Sequence, residues 1–242
     1  MIEIKNLYFS YGADFSLNIE KLVIPDKGLV SIIGPNGSGK STLLRILAGL
    51  NKKYSGSVTL DDEEYELFRH EDMASRVAYI PVYAWPDNPV TVRQLILSGA
   101  YRYGGEADIS EIADRCGLSE MTEKSIYEIS SGEMKRVLIA RALVQKTPVI
   151  VMDEPFANLD PYYEVKIMEL IREIAREKLI IAAVHNVTIA SIISNCMAGI
   201  KNGKLEFILS ETPSEEILKA LYGTDFILVN GHPSPDYFST TS

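Results

Sequence analysis

A glycine-rich octapeptide near the N-terminus constrains the fold of this chain more than any other feature of its sequence. It follows an apolar, β-branched stretch at 29–33 and precedes leucine and isoleucine residues at helical spacing, among them Leu43, Leu47 and Leu50. The octapeptide matches the phosphate-loop pattern G-x-x-x-x-G-K-[ST] and reads Gly34-Pro35-Asn36-Gly37-Ser38-Gly39-Lys40-Ser41. The context therefore predicts a buried strand, a phosphate-binding loop and a helix that begins near Ser41.

The chemistry of this loop suits a nucleoside phosphate. Glycines let backbone N–H groups turn inward around a phosphate chain, and the helix N-terminus adds the positive end of its dipole. In such a loop Lys40 reaches the β- and γ-phosphates, and the Ser41 hydroxyl ligates Mg²⁺. We therefore predict a bound nucleoside triphosphate and Mg²⁺, with Thr42 included among the binding residues. The alternative is a glycine-rich turn that merely precedes a helix.

Two adjacent acids form a second candidate site. Asp153 and Glu154 end an apolar stretch at 149–152. In an open α/β sheet the carboxyl ends of the strands lie at the edge where ligands bind, so Asp153 is expected beside the phosphate loop and is predicted to hold Mg²⁺. Glu154 is predicted to accept a proton from the attacking water. Taken alone, two acids at a sheet edge could equally form a solvated turn.

The order of the apolar segments predicts the fold class. Stretches 29–33, 149–152 and 179–184 are each followed by a loop and a helical pattern; in the second unit Val165, Met168, Ile171 and Ala175 form the expected apolar stripe. This repetition predicts an α/β fold of the P-loop NTPase type with a parallel sheet. Alternation of period two within the first 60 residues predicts an antiparallel β subdomain packed beside that core.

The segment between these core strands differs from them. Three prolines mark 81–89 as a loop, and 91–127 is mostly helical in pattern. We expect a single domain over 1–242, in which 1–80 and 128–242 form the nucleotide-binding core with its β subdomain. Residues 81–127 would form a connecting loop and a helical insert subdomain.

Composition excludes several classes of protein. The chain has 24 Lys and Arg against 33 Asp and Glu, a formal net charge of −9 that argues against nucleic acid as a partner. Its two cysteines lack metal-ligand spacing, which is typical of a reduced, intracellular protein. Residues 179–200 carry no charged side chain, but six polar residues there favour a strand, a loop and a helix over a membrane span. The acidic start of the chain does not fit a signal peptide.

A short motif between the two candidate sites carries a family resemblance. Ile129-Ser130-Ser131-Gly132-Glu133 lies 20 residues before Asp153 and precedes a helix expected to begin near Met134. Together with the phosphate loop and the paired acids, this arrangement resembles the ATP-binding cassette (ABC) family of transporter ATPases, whose signature usually reads L-S-G-G-Q/E. Ser130 and Glu133 also have the spacing of a capping box, and both interpretations can hold together.

The resemblance implies further site residues. Tyr11 matches the aromatic residue that stacks on adenine. Asp160 lies in a segment that matches the loop crossing the dimer interface, and His185 matches the switch histidine that contacts the γ-phosphate and orients the water. Without the family, Tyr11 would be an ordinary strand aromatic, Asp160 a helix N-cap before Pro161, and His185 a histidine after a buried strand. The family also implies a head-to-tail dimer, formed by two identical copies or by this chain and a related one. In that dimer one subunit completes the ATP site of the other with its signature residues Ser130, Ser131, Gly132 and Glu133.

Other segments resemble the ATPases of importers for ferric siderophores, haem and cobalamin, namely 91–95 and 98–103 in the insert, and 221–225 and 231–233 near the C-terminus. The resemblance implies an ATP-hydrolysing subunit that energises such an importer. It would lie in the cytoplasm, held at the inner face of the membrane by a separate permease. A soluble ABC ATPase of cofactor assembly and a weakly hydrolytic, nucleotide-gated regulatory subunit remain alternatives.

Four positions depart from the family pattern. Val82 replaces a glutamine that touches Mg²⁺ and links the site to the membrane partner, and Ser131 replaces the first signature glycine. Asn186 and Phe156 replace the commoner Asp and Thr, which we regard as minor changes. Because valine cannot ligate a metal, we expect slow basal turnover with ATP binding intact.

Overall fold

The computed structural model describes residues 1–12, 14–82, 85–103 and 107–236. Two parts of the predicted insert, 83–84 and 104–106, lie outside these ranges. The strands are β1 Ile2–Ser10, β2 Ser16–Ile24, β3 Gly28–Ile33, β4 Ser55–Leu60, β5 Glu63–Glu64, β6 Val77–Ile80, β7 Val149–Asp153, β8 Leu179–Ala183, β9 Cys196–Lys201, β10 Lys204–Leu209, β11 Phe226–Val229 and β12 His232–Pro235. The α-helices are α1 Lys40–Leu47, α2 His70–Arg76, α3 Val92–Leu97, α4 Ser110–Arg115, α5 Ser131–Val144, α6 Pro161–Ile174, α7 Val187–Ile193 and α8 Glu215–Tyr222.

Ten of these strands form one sheet in the order β5-β4-β1-β2-β10-β9-β3-β8-β7-β6. The neighbours from β9 to β6 run parallel, whereas β1 pairs antiparallel with β2 and β4. The prediction of a parallel core with an N-terminal antiparallel part is therefore confirmed. The two parts share one sheet because β10 pairs with β9 on one side and, through Lys204 and Asn18, with β2 on the other. Alternation of period two could not predict this junction.

Both faces of the parallel part are covered. Along β3, Leu29 and Ile33 face one hydrophobic core, and Val30 and Ile32 face the other. The first core contains the inner faces of the helices from α3 to α8, and the second contains α1 and the antiparallel strands. This double burial explains why β3 reads as a continuous apolar run. It also holds the end of β3 rigidly where the phosphate loop begins.

Two predicted apolar stripes were partly wrong. Leu50 lies beyond the end of α1 and is 52% exposed, and Val165 of α6 is 50% exposed. The buried face of α6 instead carries Ile167, Leu170, Ile171 and Ile174. Because α6 has apolar residues on more than one side, several sets of helical spacing fit its sequence. Only the position of the helix against the sheet selects the buried set.

The predicted insert segment is helical in its described parts. It contains α3, α4 and the 3₁₀ turns Ser98–Tyr103, Ser119–Met121 and Ile126–Glu128. Outside the insert, a further 3₁₀ turn, Tyr65–Leu67, precedes α2. A β-bridge between Thr91 and Ser125 closes the base of the segment. Its apolar side chains, such as Ile96 and Ala100, join the core that also buries α5. The insert is thus anchored to the helix that carries the signature motif.

The last described elements pack on the α/β core near α7. The Thr188 hydroxyl donates to the Pro233 carbonyl at 2.7 Å, and Ser191 Oγ lies 3.0 Å from His232 Nδ1. Both cysteines, Cys116 and Cys196, are free and buried. Within the described ranges no helix is both long and apolar enough to cross a membrane. Residues 179–200 form β8, α7 and most of β9, as their polar content predicted.

Candidate nucleotide site

An open cleft of about 540 Å³ lies at the carboxyl edge of the parallel strands. It brings together residues that the sequence placed in three separate motifs. The lining residues are Tyr11, Phe15, Asn36, Gly37, Gly39, Lys40, Ser41, Thr42, Glu154 and His185. The sheet topology produces this meeting, because β3, β7 and β8 are neighbours and end at the same edge.

The loop between β3 and α1 requires glycine. Gly34, Gly37 and Gly39 all have positive φ, a region that side chains with a Cβ rarely occupy. At Gly34 a Cβ would also lie 2.0 Å from the backbone oxygen of Ile200, a distance that no side chain could tolerate. Gly39 lies at the N-cap of α1. The phosphate-loop backbone is thus fixed by glycine and directs the N-terminus of α1 at the cleft.

Lys40 is buried, and its ammonium folds back across the loop. Its Nζ donates to the carbonyls of Gly34 at 2.8 Å and Pro35 at 2.9 Å. Burial lowers the pKa of Lys40, and the negative charges of Glu154 and Asp153 partly oppose this effect. A buried ammonium that bonds to neutral carbonyls is stabilised by an anion, so a phosphate in the cleft would supply the missing counter-charge.

A second buried group in the loop points to a ligand. Ser38 Oγ is buried, and it forms no hydrogen bond with any described residue. Buried hydroxyls in native proteins nearly always have a partner. The orphaned hydroxyl therefore fits a loop that is completed by the oxygens of a bound molecule.

Asp153 and Ser41 meet as predicted. The Ser41 hydroxyl donates to Asp153 Oδ1 at 3.0 Å, and the Tyr79 hydroxyl lies 3.3 Å from Oδ2. Burial raises the pKa of the Asp153 carboxyl, which the hydrogen bond from Ser41 partly offsets. A hydroxyl and a carboxylate are hard oxygen donors of the kind that Mg²⁺ accepts. Among the described residues no group of three or more His, Cys, Asp or Glu could hold a metal alone. A Mg²⁺ ion at this pair would therefore draw further ligands from phosphate and water.

Glu154 and His185 form a direct contact, with Nε2 of the ring 2.5 Å from Oε1 of the carboxylate. Glu154 follows β7 with a φ of +50°, an unusual conformation for a residue with a Cβ. His185 follows β8 by two residues. The contact places an imidazole where it can orient the carboxylate, whereas the predicted contact of His185 with a γ-phosphate stays a prediction.

Two aromatic rings, those of Tyr11 and Phe15, line the cleft. Tyr11 is 61% exposed, its hydroxyl accepts from Asn51 Nδ2 at 3.0 Å, and its ring lies 6.3 Å from that of Phe15. An exposed ring beside a phosphate loop offers a flat surface on which a base can stack. Phe15 also lines the cleft, and sequence analysis missed it because no motif contains it.

The signature residues do not line this cleft within one chain. The helix α5 begins at Ser131, three residues before the predicted start at Met134, because Ser130 and Glu133 form a capping box. The Glu133 carboxylate accepts from the Ser130 backbone N–H at 2.7 Å, and the Ser130 hydroxyl from the Glu133 N–H at 3.2 Å. Gly132 lies in the first turn of α5, and the Ser131 hydroxyl donates to the Asn158 carbonyl at 3.3 Å.

Asp160 caps α6 and also lies outside the cleft. Its carboxylate accepts from the Tyr163 backbone N–H at 3.0 Å, and Pro161 is the first residue of the helix. The capping alternative is therefore correct for the described chain. A role for Asp160 at a dimer interface stays a prediction.

Three further residues of the site region escaped sequence analysis. Tyr79 contacts Asp153, as described above, and Lys135 donates to the backbone carbonyls of Val82 and Glu154. The hydroxyl of Tyr222, in the last turn of α8, accepts from the backbone N–H of Gly34 at 2.9 Å. Each contact joins residues far apart in sequence, so only the fold reveals it.

The fold and the cleft together define a P-loop ATPase, in which a strand-to-helix loop and a second strand ending in two acids share one sheet edge. The chain belongs to the ABC transporter family, whose model matches residues 17–157. Because this match includes both the phosphate loop and the paired acids, the ATPase class and ATP binding follow from the family as well as from the geometry.

Comparisons with known proteins extend over most of the chain. The petrobactin import ATP-binding protein YclP of Bacillus subtilis (strain 168) is 31% identical over 228 residues, which cover 90% of this chain and 89% of the relative. The ferric enterobactin transport ATP-binding protein FepC of Escherichia coli (strain K12) is 29% identical over 238 residues, 92% of this chain and 86% of the relative. A metal-chelate type ABC transporter, solved in an inward-facing conformation, shares the fold with a TM-score of 0.83 at 20% identity and 98% coverage of both chains.

Proposed function

We propose that this chain is the ATP-hydrolysing subunit of a membrane importer for an iron-siderophore or a related metal chelate. The observation that carries the proposal is the convergence of Lys40, Ser41 and the Glu154–His185 pair on one cleft, with Asp153 hydrogen-bonded to Ser41. Relatives named as petrobactin and ferric enterobactin transport ATP-binding proteins, similar over nine-tenths of the chain, support the transported class.

The residues of the cleft divide the work of hydrolysis. The phosphate loop and Lys40 bind and orient the phosphates, and Ser41 with Asp153 would hold Mg²⁺. When bound, the ion neutralises charge on the phosphate oxygens. The Glu154 carboxylate accepts a proton from the attacking water, and His185 holds that carboxylate in place through their contact. Tyr11 stacks on the base.

The site is incomplete within one copy, because Ser130 and Gly132 lie outside the cleft. We infer that two copies pair head to tail, each presenting its signature motif and Asp160 to the nucleotide of the other. A separate permease in the membrane would hold the pair at its cytoplasmic face. ATP binding closes the pair, and loss of the γ-phosphate contacts opens it, so the nucleotide biases a two-state element.

A trapping experiment tests the catalytic assignment. Glu154→Gln keeps the shape of the side chain but cannot accept a proton, so it should abolish steady-state phosphate release while Mg·ATP binding persists. On size exclusion with Mg·ATP the variant should elute as a dimer. Glu169→Gln, at an exposed residue of α6, is the matched control and should hydrolyse ATP like the parent. A Glu154→Gln variant that remains monomeric with Mg·ATP would contradict the paired arrangement.

Affinity purification from membranes tests the transport assignment. A tagged chain should recover a polytopic membrane protein after mild detergent extraction. Recovery of only soluble partners would instead favour an ABC ATPase of cofactor assembly. A parent protein that binds ATP but releases no phosphate, even with its partner, would favour a nucleotide-gated regulatory subunit.

A further inference from the structure

Lys135 is a buried lysine that the phosphate site does not explain. It lies in the second turn of α5, just after the signature motif, and only 8% of its surface is exposed. Burial of a charge is costly unless hydrogen bonds compensate for it. The other buried lysine of the described residues, Lys40, has a phosphate-binding role. Lys135 therefore needs an explanation of its own.

The two acceptors of Lys135 lie just beyond the ends of two adjacent strands. Its Nζ donates to the Val82 carbonyl at 3.0 Å and to the Glu154 carbonyl at 3.1 Å. Both are backbone oxygens, so the lysine holds main-chain positions and not side chains. Val82 is the second residue after β6, and Glu154 is the first after β7. One ammonium thus connects α5 to the ends of two adjacent strands.

The bond to Glu154 fixes a backbone that is otherwise unfavourable. The φ of +50° at Glu154 is a conformation that persists only where the surroundings enforce it. The Glu154 carbonyl also accepts from the Ala157 backbone N–H at 3.2 Å. With the peptide held from two directions, the Glu154 carboxylate meets His185 at 2.5 Å. A shift of this peptide would move the carboxylate away from its working position.

The bond to Val82 has a separate consequence. The valine side chain has no polar atom, so it can neither ligate a metal ion nor form a hydrogen bond with a ligand in the site. The chain at 82 is nevertheless tied to the catalytic strand through its carbonyl and Lys135. The ammonium of Lys135 therefore joins the backbone at Val82 to the backbone at Glu154 and to the second turn of α5.

We propose that Lys135 is a positioning residue for ATP hydrolysis, which sets the backbone of Glu154 and ties the backbone carbonyl of Val82 to it. The proposal rests on the proposed role of Glu154 as the proton acceptor. Lys135 is not among the residues that line the nucleotide cleft. Its loss should therefore slow the chemical step and leave the phosphate loop able to bind nucleotide.

The test compares three variants of the full chain. Lys135→Met keeps the length of the side chain and removes its donor, whereas Lys135→Gln keeps an N–H donor without the charge. Lys166→Met, at an exposed lysine of α6, is the matched control. ATP binding is measured by calorimetry, and phosphate release is expressed per nucleotide-binding site, so that partly unfolded material does not count.

We expect Lys135→Met to lower kcat between about 10-fold and 100-fold, the range for a misplaced catalytic group. Its Kd for Mg·ATP should stay within about 3-fold of the parent value, since the phosphate loop is untouched. Lys135→Gln should recover part of the lost kcat, and Lys166→Met should match the parent.

Equal kcat per binding site in Lys135→Met and the parent would overturn the proposal, as would loss of ATP binding in parallel with kcat. If Lys135→Met does not fold, the test rests on Lys135→Gln alone. A kcat for Lys135→Gln equal to that of the parent would refute the proposal, as would a Kd for Mg·ATP that rises as kcat falls. A parent protein without Mg-dependent phosphate release would instead contradict the proposed function.

Discussion

Tyr222 provides a direct test of how the C-terminal helix supports the phosphate loop. Its hydroxyl accepts from the backbone N–H of Gly34, which is buried. Tyr222→Phe would leave that N–H without its acceptor, and an unsatisfied buried donor costs about 1–3 kcal/mol. Taking about 1–2 kcal/mol, because Tyr222 is only partly buried, Tm should fall by roughly 2–8 °C for a chain of this length. The change in Tm is measured by thermal unfolding in the absence of nucleotide, monitored by circular dichroism.

A matched control distinguishes the effect of losing a hydrogen bond to a buried group from the effect of removing a tyrosine hydroxyl at an exposed position. The Tyr127 hydroxyl donates to the Pro86 carbonyl at 2.9 Å, but Tyr127 is 55% exposed. Water can replace this bond, so Tyr127→Phe should change stability by less than about 0.5 kcal/mol. If Tyr222→Phe unfolds at the same temperature as Tyr127→Phe, the hydroxyl does not stabilise the loop and the reasoning is refuted.

Three further predictions concern the loop at 82 and the signature motif. Val82→Gln should raise ATPase activity or its coupling to transport; a phosphate-release rate and a transport yield equal to those of the parent would show that valine imposes no limit. In Gly132→Ala the new Cβ would lie 2.3 Å from Cγ of Tyr163, so the first turn of α5 must shift. ATPase activity should fall by about 10-fold or more while a monomer still binds ATP in calorimetry, and an unchanged rate would contradict a role for this turn. The hydrogen bond from the Ser130 backbone N–H is the main reason that the pKa of Glu133 is lowered. The Glu133 carboxylate therefore stabilises the folded protein fully above pH 4.5, the ordinary pKa of a glutamate, and this stabilisation is lost as the pH falls through the lowered pKa. Urea denaturation of Glu133→Gln and the parent should therefore converge at acidic pH, and a constant difference would refute this assignment.

The parts of the site that could be predicted from sequence have short-range causes. Lys40 and Ser41 are fixed by a loop whose geometry follows from glycines a few residues apart. Asp153 could be placed beside them because parallel strands end at a shared edge, a general property of the α/β fold. The 3.0 Å contact of Ser41 with Asp153 is the direct outcome of that rule.

The parts that could not be predicted depend on which distant elements touch. Tyr222 lies 188 residues from Gly34, and its bond depends on where α8 packs. Lys135 bonds to carbonyl oxygens, which every residue has, so no side-chain pattern reveals its partners. The exposure of Val165 depends on the rotation of α6 against the sheet. Local spacing determines the motif residues, and tertiary packing determines the residues that hold them.

The burial of both cysteines has a practical consequence. Cys116 and Cys196 lie in the interior, and burial raises the pKa of the Cys116 thiol to about 12, so neither would react readily with a maleimide dye. An added cysteine at an outlying position, such as Tyr101 with 85% of its surface exposed, would then carry a single fluorophore or spin label on an otherwise native background. Distance measurements between labels on two copies could follow each nucleotide cycle in real time.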